Sequence, residues 1–111
     1  MKNCVEYLNH IIDECNYLIS DSQNLDFEKF FSDSRLKRAF VRSLEVIGEA
    51  VKKLPADFKE KHKDISWQEI AGTRNRLIHD YMNVDYEIVW DIVKNEIPQL
   101  ITNIHIIKDQ Y

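Results

Sequence analysis

The sequence predicts an all-α fold, a single up-and-down bundle of four to five helices. Three observations predict it. Apolar residues recur at steps of three and four almost from end to end, the period of a helix with one buried face. Only 2 Gly and 2 Pro occur in 111 residues, too few for a fold built on many tight turns. No stretch alternates apolar and polar residues as a half-buried strand would, so no strand is predicted.

Val5, Leu8, Ile11, Ile12, Cys15, Leu18 and Ile19 make residues 2–20 an amphipathic helix, ended by the polar run at 20–24. Asp26 caps a short turn carrying Phe27, Phe30 and Phe31. Ser34 opens a second long helix with its stripe at Leu36, Ala39, Phe40, Leu44, Ile47, Ala50, Val51 and Leu54. Pro55 ends it, because proline holds the preceding residue extended. Residues 56–63 are charged and form a short helix or a loop. Ser66-Trp67-Gln68-Glu69 has the form of a capping box, opening a helix that frays before Asn83. Asp85 caps the last helix, which Pro98 should kink. Gly48 and Gly72 fall inside helical patterns, where glycine costs about 0.5–1 kcal/mol against alanine. Close helix packing explains Gly48; a surface role near the backbone is an equal reading for Gly72. Ile104, Ile106 and Ile107 crowd three sides of one turn, more apolar surface than one neighbour covers, so part of it is expected in an oligomer.

Composition excludes several classes. No apolar run approaches the ~20 residues of a membrane helix, and the first residues do not form a signal peptide. Cys4 and Cys15 lie on one helix, roughly 16 Å apart at about 1.5 Å per residue, too far for a disulfide. A reduced, cytoplasmic setting is expected, with both thiols as small hydrophobes. His-Glu-x-x-His, Cys-x-x-Cys and Gly-x-Ser-x-Gly are missing, and neither a metal nor a cofactor is expected. His10, His62 and His105 read as structural or surface residues.

The segment Gly72-Thr73-Arg74-Asn75-Arg76-Leu77-Ile78-His79-Asp80-Tyr81 is different. Six polar or charged side chains crowd eight positions at a helix end, where a rigid scaffold exposes them. Arg74 and His79 are ~140° apart on an ideal helix, so joint action needs the helix to end before His79, or two chains to pair. The pair suits phosphodiester cleavage. Histidine moves protons near neutral pH, and arginine presents a charged planar fork to phosphate oxygens.

In this segment the sequence resembles the HEPN superfamily, and more closely its HepT-like branch of ribonuclease toxins. Arg74 and Asn75 through His79, then Asp80-Tyr81, carry the resemblance. It extends to Ser43-Leu44-Glu45-Val46-Ile47-Gly48-Glu49-Ala50, to Trp67 with Ile70-Ala71-Gly72, and to Val89-Trp90 with Pro98. It makes residues 1–111 a single HEPN/HepT-like domain. It implies a homodimer with a composite cleft where two motifs meet, and metal-independent RNA cleavage by Arg74, His79 and Asn75. It also implies a minimal nucleotidyltransferase antitoxin that transfers AMP to Tyr81. A non-catalytic helical adaptor that binds a nucleotidyltransferase is the alternative.

The net charge of −4 hides three blocks: −5 over residues 1–33, +5 over 34–63 and −4 over 64–111. The middle block offers a basic path for an RNA backbone, with Lys37 and Arg38 as candidate contacts beside Arg76.

Overall fold

The computed structural model describes residues 2–80 and 83–111, the side chains of 2, 3, 79 and 80 excepted. The first apolar stripe folds into helix α1 (Lys2–Ser22), two residues longer than expected. Cys4, Leu8, Ile11, Cys15 and Leu18 are fully buried on it, and both thiols are free. The buried Ser22 hydroxyl donates to the Ile19 carbonyl at 3.3 Å, and the Lys94 ammonium donates to the Ser22 carbonyl at 3.1 Å. These bonds satisfy polar groups that would otherwise end the helix a turn earlier.

Asp26 caps helix α2 (Phe27–Ser32), accepting from the Lys29 amide at 2.8 Å. Phe30 is buried from here against Phe40 and Trp90, with ring centroids 5.0 and 5.2 Å away. Helix α3 (Ser34–Lys53) is capped by Asp33 rather than by Ser34, which is its first residue; the carboxylate accepts from the Leu36 amide at 3.0 Å. Phe40, Leu44, Ile47, Ala50 and Val51 are buried along it. Leu54, at φ −67° and ψ 135°, has left the helix before Pro55 as expected. Helix α4 (Ala56–Lys61) buries Phe58, and the Lys59 ammonium donates to the Val51 carbonyl at the end of α3.

The next helix departs from expectation in two ways. It is two short pieces, α5 (Trp67–Ala71) and α6 (Thr73–Leu77), joined at Gly72 with φ −89° and ψ 11°. The capping box does not form. Ser66 has ψ 68°, short of the extended geometry that aims a capping hydroxyl at the helix amides, and makes no side-chain cap bond. The Trp67 indole instead anchors this start, donating to the His62 carbonyl at 2.9 Å.

After Leu77 the chain forms a small antiparallel ribbon of β1 (Ile78–Asp80) and β2 (Asn83–Val84), where no strand was expected. Strands this short carry no readable alternation. They follow from the helix ending and from the Asp85 amide donating to the Leu77 carbonyl at 2.6 Å.

Asp85 caps helix α7 (Tyr86–Asp91), accepting from the Ile88 amide at 3.1 Å. The disturbance expected from Pro98 takes the form of one π-helical turn (Ile92–Glu96) ahead of helix α8 (Ile97–Lys108). Pro98 follows directly on that turn, in the first residues of α8, and has no amide to donate to the carbonyls behind it. The Ile97 amide reaches back five residues to the Ile92 carbonyl.

Helix α1 packs between α3 and α8, giving the all-α bundle that the periodicity predicts. Helices α5 and α6 pack against α3 at its side, and α6 also meets α7 and β1. Among the described residues, no helix is long and apolar enough to cross a membrane.

Candidate functional site

The site residues fall where α6 hands over to β1. Thr73 anchors the segment: its buried hydroxyl donates to the Ile70 carbonyl at 2.6 Å and links α6 back to α5. Arg74 and Asn75 follow on the exposed side. No hydrogen bond or ion pair engages the Arg74 guanidinium among the described residues. The helix ends at Leu77, so the ~140° separation of an ideal helix does not apply between Arg74 and His79. The backbone of His79 lies in β1. Its side chain lies outside what the structure describes, and Tyr81 lies outside the described residues altogether.

Arg76 points elsewhere. Its fork donates to both carboxylate oxygens of Glu96, at 3.0 and 2.7 Å, and Glu69 is 4.0 Å away. The hydrogen bonds to Glu96 raise its pKa above the ordinary arginine value, against the opposing effect of burial. Such a planar, two-bond pair fixes orientation as well as charge. Here it ties the motif helix to the π-helical turn that presents Glu96. Nothing in the linear sequence links residues 76 and 96, and Glu96 was not among the residues expected at the site.

The two candidate RNA contacts on α3 differ in their surroundings. Arg38 is exposed. The Lys37 ammonium sits 4.4 Å from the ring centroid of Phe31 and 4.7 Å from that of Tyr86, a cation held over two π faces.

Arg74 closes one side of a cleft of about 230 Å³, whose other wall is the face of α3 that carries Arg42, Glu45, Gly48, Glu49 and Lys52. Gly48 explains the close approach. A Cβ there would lie 3.3 Å from the Ile70 carbonyl oxygen and 3.5 Å from that of Ala71. The bare backbone lets the end of α5 rest directly on α3, which brings Arg74 to the cleft. A second cleft, of about 290 Å³, has an aliphatic floor of Leu44, Ile47, Ile92, Ile97 and Leu100, with Glu69 and Glu96 among its lining. Among the described residues, no group of three or more His, Cys, Asp or Glu side chains is placed to hold a metal ion.

The family described as Ribonuclease HepT-like matches residues 3–107. A protein of Caldanaerobacter subterraneus, provisionally named an RNase, is 53% identical over 90% of this chain and 89% of its own length. A Methanocaldococcus jannaschii protein with a similar provisional RNase name is 42% identical over 97% of this chain and 90% of its own. A Thermococcus cleftensis protein, provisionally named ribonuclease HepT, is 40% identical over 86% of each chain. No solved structure matches the chain. A match over nearly every residue, together with the helical bundle and the Arg74–His79 segment at its helix end, places this chain in the HepT-like ribonuclease family.

Proposed function

We propose that this chain is the endoribonuclease toxin of a toxin–antitoxin pair, and that it cuts RNA without a metal ion. The observation that carries the reading is the exposed, unengaged Arg74 guanidinium at the rim of a cleft. It stands five residues ahead of His79, on a chain that has already left the helix, in a family of ribonucleases.

The chemistry follows from the residue types. A histidine takes the proton of a ribose 2′-hydroxyl, and that oxygen attacks phosphorus. The bond from phosphorus to the 5′-oxygen breaks, and the leaving oxygen collects a proton. The products are a 2′,3′-cyclic phosphate and a 5′-hydroxyl. Arg74 offsets the charge that builds on the phosphate oxygens. Asn75 orients the group being attacked. Two proton transfers suit two copies of His79, so the working unit is a homodimer with a shared cleft. Lys37 and Arg38 guide the RNA backbone, and Arg76 braces the motif segment through Glu96.

A minimal nucleotidyltransferase antitoxin silences this site through Tyr81. The tyrosine oxygen bonds to the α-phosphorus of ATP, and pyrophosphate leaves. The attached AMP sets a negative phosphate and a bulky base near the cleft, repelling RNA.

Purified protein in EDTA is expected to cleave single-stranded RNA and leave cyclic or 3′-phosphate ends. Arg74→Ala should slow cleavage by roughly 10²-fold, the scale of losing one preorganised donor to a developing charge. His79→Ala should slow it by about 10²–10⁴-fold. Cleavage by His79→Ala at the parental rate overturns the assignment. Binding of a nucleotidyltransferase without any RNA cleavage returns the adaptor reading.

A further inference from the structure

We propose that the cleft beside Arg74 is a ribonucleotide subsite, in which Arg42 and Lys52 hold a backbone phosphate of RNA next to the bond being cut. The inference rests on the ribonuclease reading and adds a substrate-holding surface to it.

Three observations support it. Residues 42, 45, 49 and 52 follow one another at steps of three and four, so α3 lines them along one face, and all four border the cleft that Arg74 closes. Gly48, in the same stretch, is what lets the Arg74 segment come down onto that face.

Four basic side chains elsewhere are engaged. Arg76 is held by Glu96. Lys59 and Lys94 donate to backbone carbonyls, and Lys37 lies over two rings. Arg42 is exposed and has no hydrogen bond or ion pair among the described residues. Lys52 has only a 3.8 Å contact with Glu49, both side chains more than half exposed. Such a pair is worth little and yields readily to a phosphate.

The third observation is the mixture of charges. Three cations and two carboxylates border the cleft. That balance makes a poor trap for a bare anion. It suits a nucleotide, whose phosphate takes the cations while amino groups on its base edge donate to Glu45 and Glu49.

The test uses full-length protein with two probes: a cleavable single-stranded RNA, and a 2′-O-methyl RNA of the same sequence, which lacks the attacking hydroxyl. The double variant Arg42→Gln/Lys52→Gln is compared with the parent and with Lys108→Gln. The last removes a charge from α8, none of whose basic residues borders the cleft. All are checked for parental thermal unfolding.

The double variant should raise the KM for cleavage about tenfold or more, with the loss falling on KM rather than kcat. It should weaken 2′-O-methyl RNA binding similarly. It should also flatten the slope of log affinity against log salt by about 0.7, the value for one single-strand phosphate contact. Lys108→Gln should do none of this. If the parent cleaves and the double variant tracks Lys108→Gln, the subsite is wrong and the ribonuclease reading stands. If the parent does not cleave but its binding depends on Arg42 and Lys52, the ribonuclease reading fails, and with it the place beside a cut bond, while the RNA-phosphate contact stands. A parent that neither cleaves nor binds either probe overturns both.

Discussion

Cys15 shows what burial does to one titratable group. It is fully buried on α1, and desolvation, reinforced by the nearby charge of Glu14, pushes its thiol up to about 12. In the unfolded chain the thiol ionises near its ordinary value of about 8.5. Between those two values the folded state keeps a proton that the unfolded state has lost. Stability therefore falls as pH rises through that window, by about 1.4 kcal/mol per pH unit at most for this group. Tyr17, also raised by burial first and by Asp21 next, acts in the same direction. Urea unfolding at pH 8, 9 and 10 should show this decline, and Cys15→Ala should flatten it while lowering stability overall through the cavity it leaves. An equal slope in parent and variant would remove Cys15 as the cause. Arg76 makes a separate prediction. Its fork on Glu96 is partly exposed, with side chains 30% and 41% accessible, so Arg76→Ala should cost only about 1 kcal/mol by urea unfolding. Arg76→Lys should recover less than half of that, because an ammonium cannot match the two-bond geometry.

Elements were legible where a local rule decides them. Asp26 and Asp85 cap the helices expected of them, because an aspartate carboxylate reaches the amide three residues on whatever the rest of the chain does. Ser66 satisfies the same pattern and fails, since the backbone around it is set by the anchored Trp67 and not by the cap. The β1–β2 ribbon and the π-helical turn were illegible for a related reason: both are adjustments of backbone path, made where a helix stops or a proline intrudes. Gly48 lies between these cases. Its sequence position suggested close packing, and the 3.3 Å and 3.5 Å approaches to carbonyl oxygens of α5 bear that out. Those neighbours are backbone atoms and cannot swing aside. Gly48→Ala should therefore gain little or none of the 0.5–1 kcal/mol that alanine normally adds to a helix. Gly48→Val should destabilise by about 1–3 kcal/mol, the scale of overpacking. Because α5 and α6 ride on that contact, Gly48→Val should also reduce RNA cleavage. A variant with higher stability than the parent and full cleavage would mean that α5 can move away without consequence.

For the whole molecule, only Arg42 and Lys52 of the +5 block border the Arg74 cleft, where Glu45 and Glu49 stand beside them. That Arg74 would meet α3 could not be read from spacing, because it depends on how α5 rests on Gly48. The crowded isoleucines of α8 sort themselves clearly. Ile104 and Ile107 are buried, while Ile106 remains 58% exposed. An isoleucine left this open is apolar surface that a second copy can cover. A homodimer would also supply the second histidine that two proton transfers ask for. Light scattering at micromolar concentration should then give twice the 13.3 kDa of one chain. Ile106→Glu should raise the dimer dissociation constant by about tenfold or more, a loss of about 1.4 kcal/mol. If the shared cleft does the work, RNA cleavage by Ile106→Glu should recover as protein concentration is raised, following the return of the dimer. A parent of 13.3 kDa that cleaves RNA at full rate over the same range would show that one chain carries the whole site.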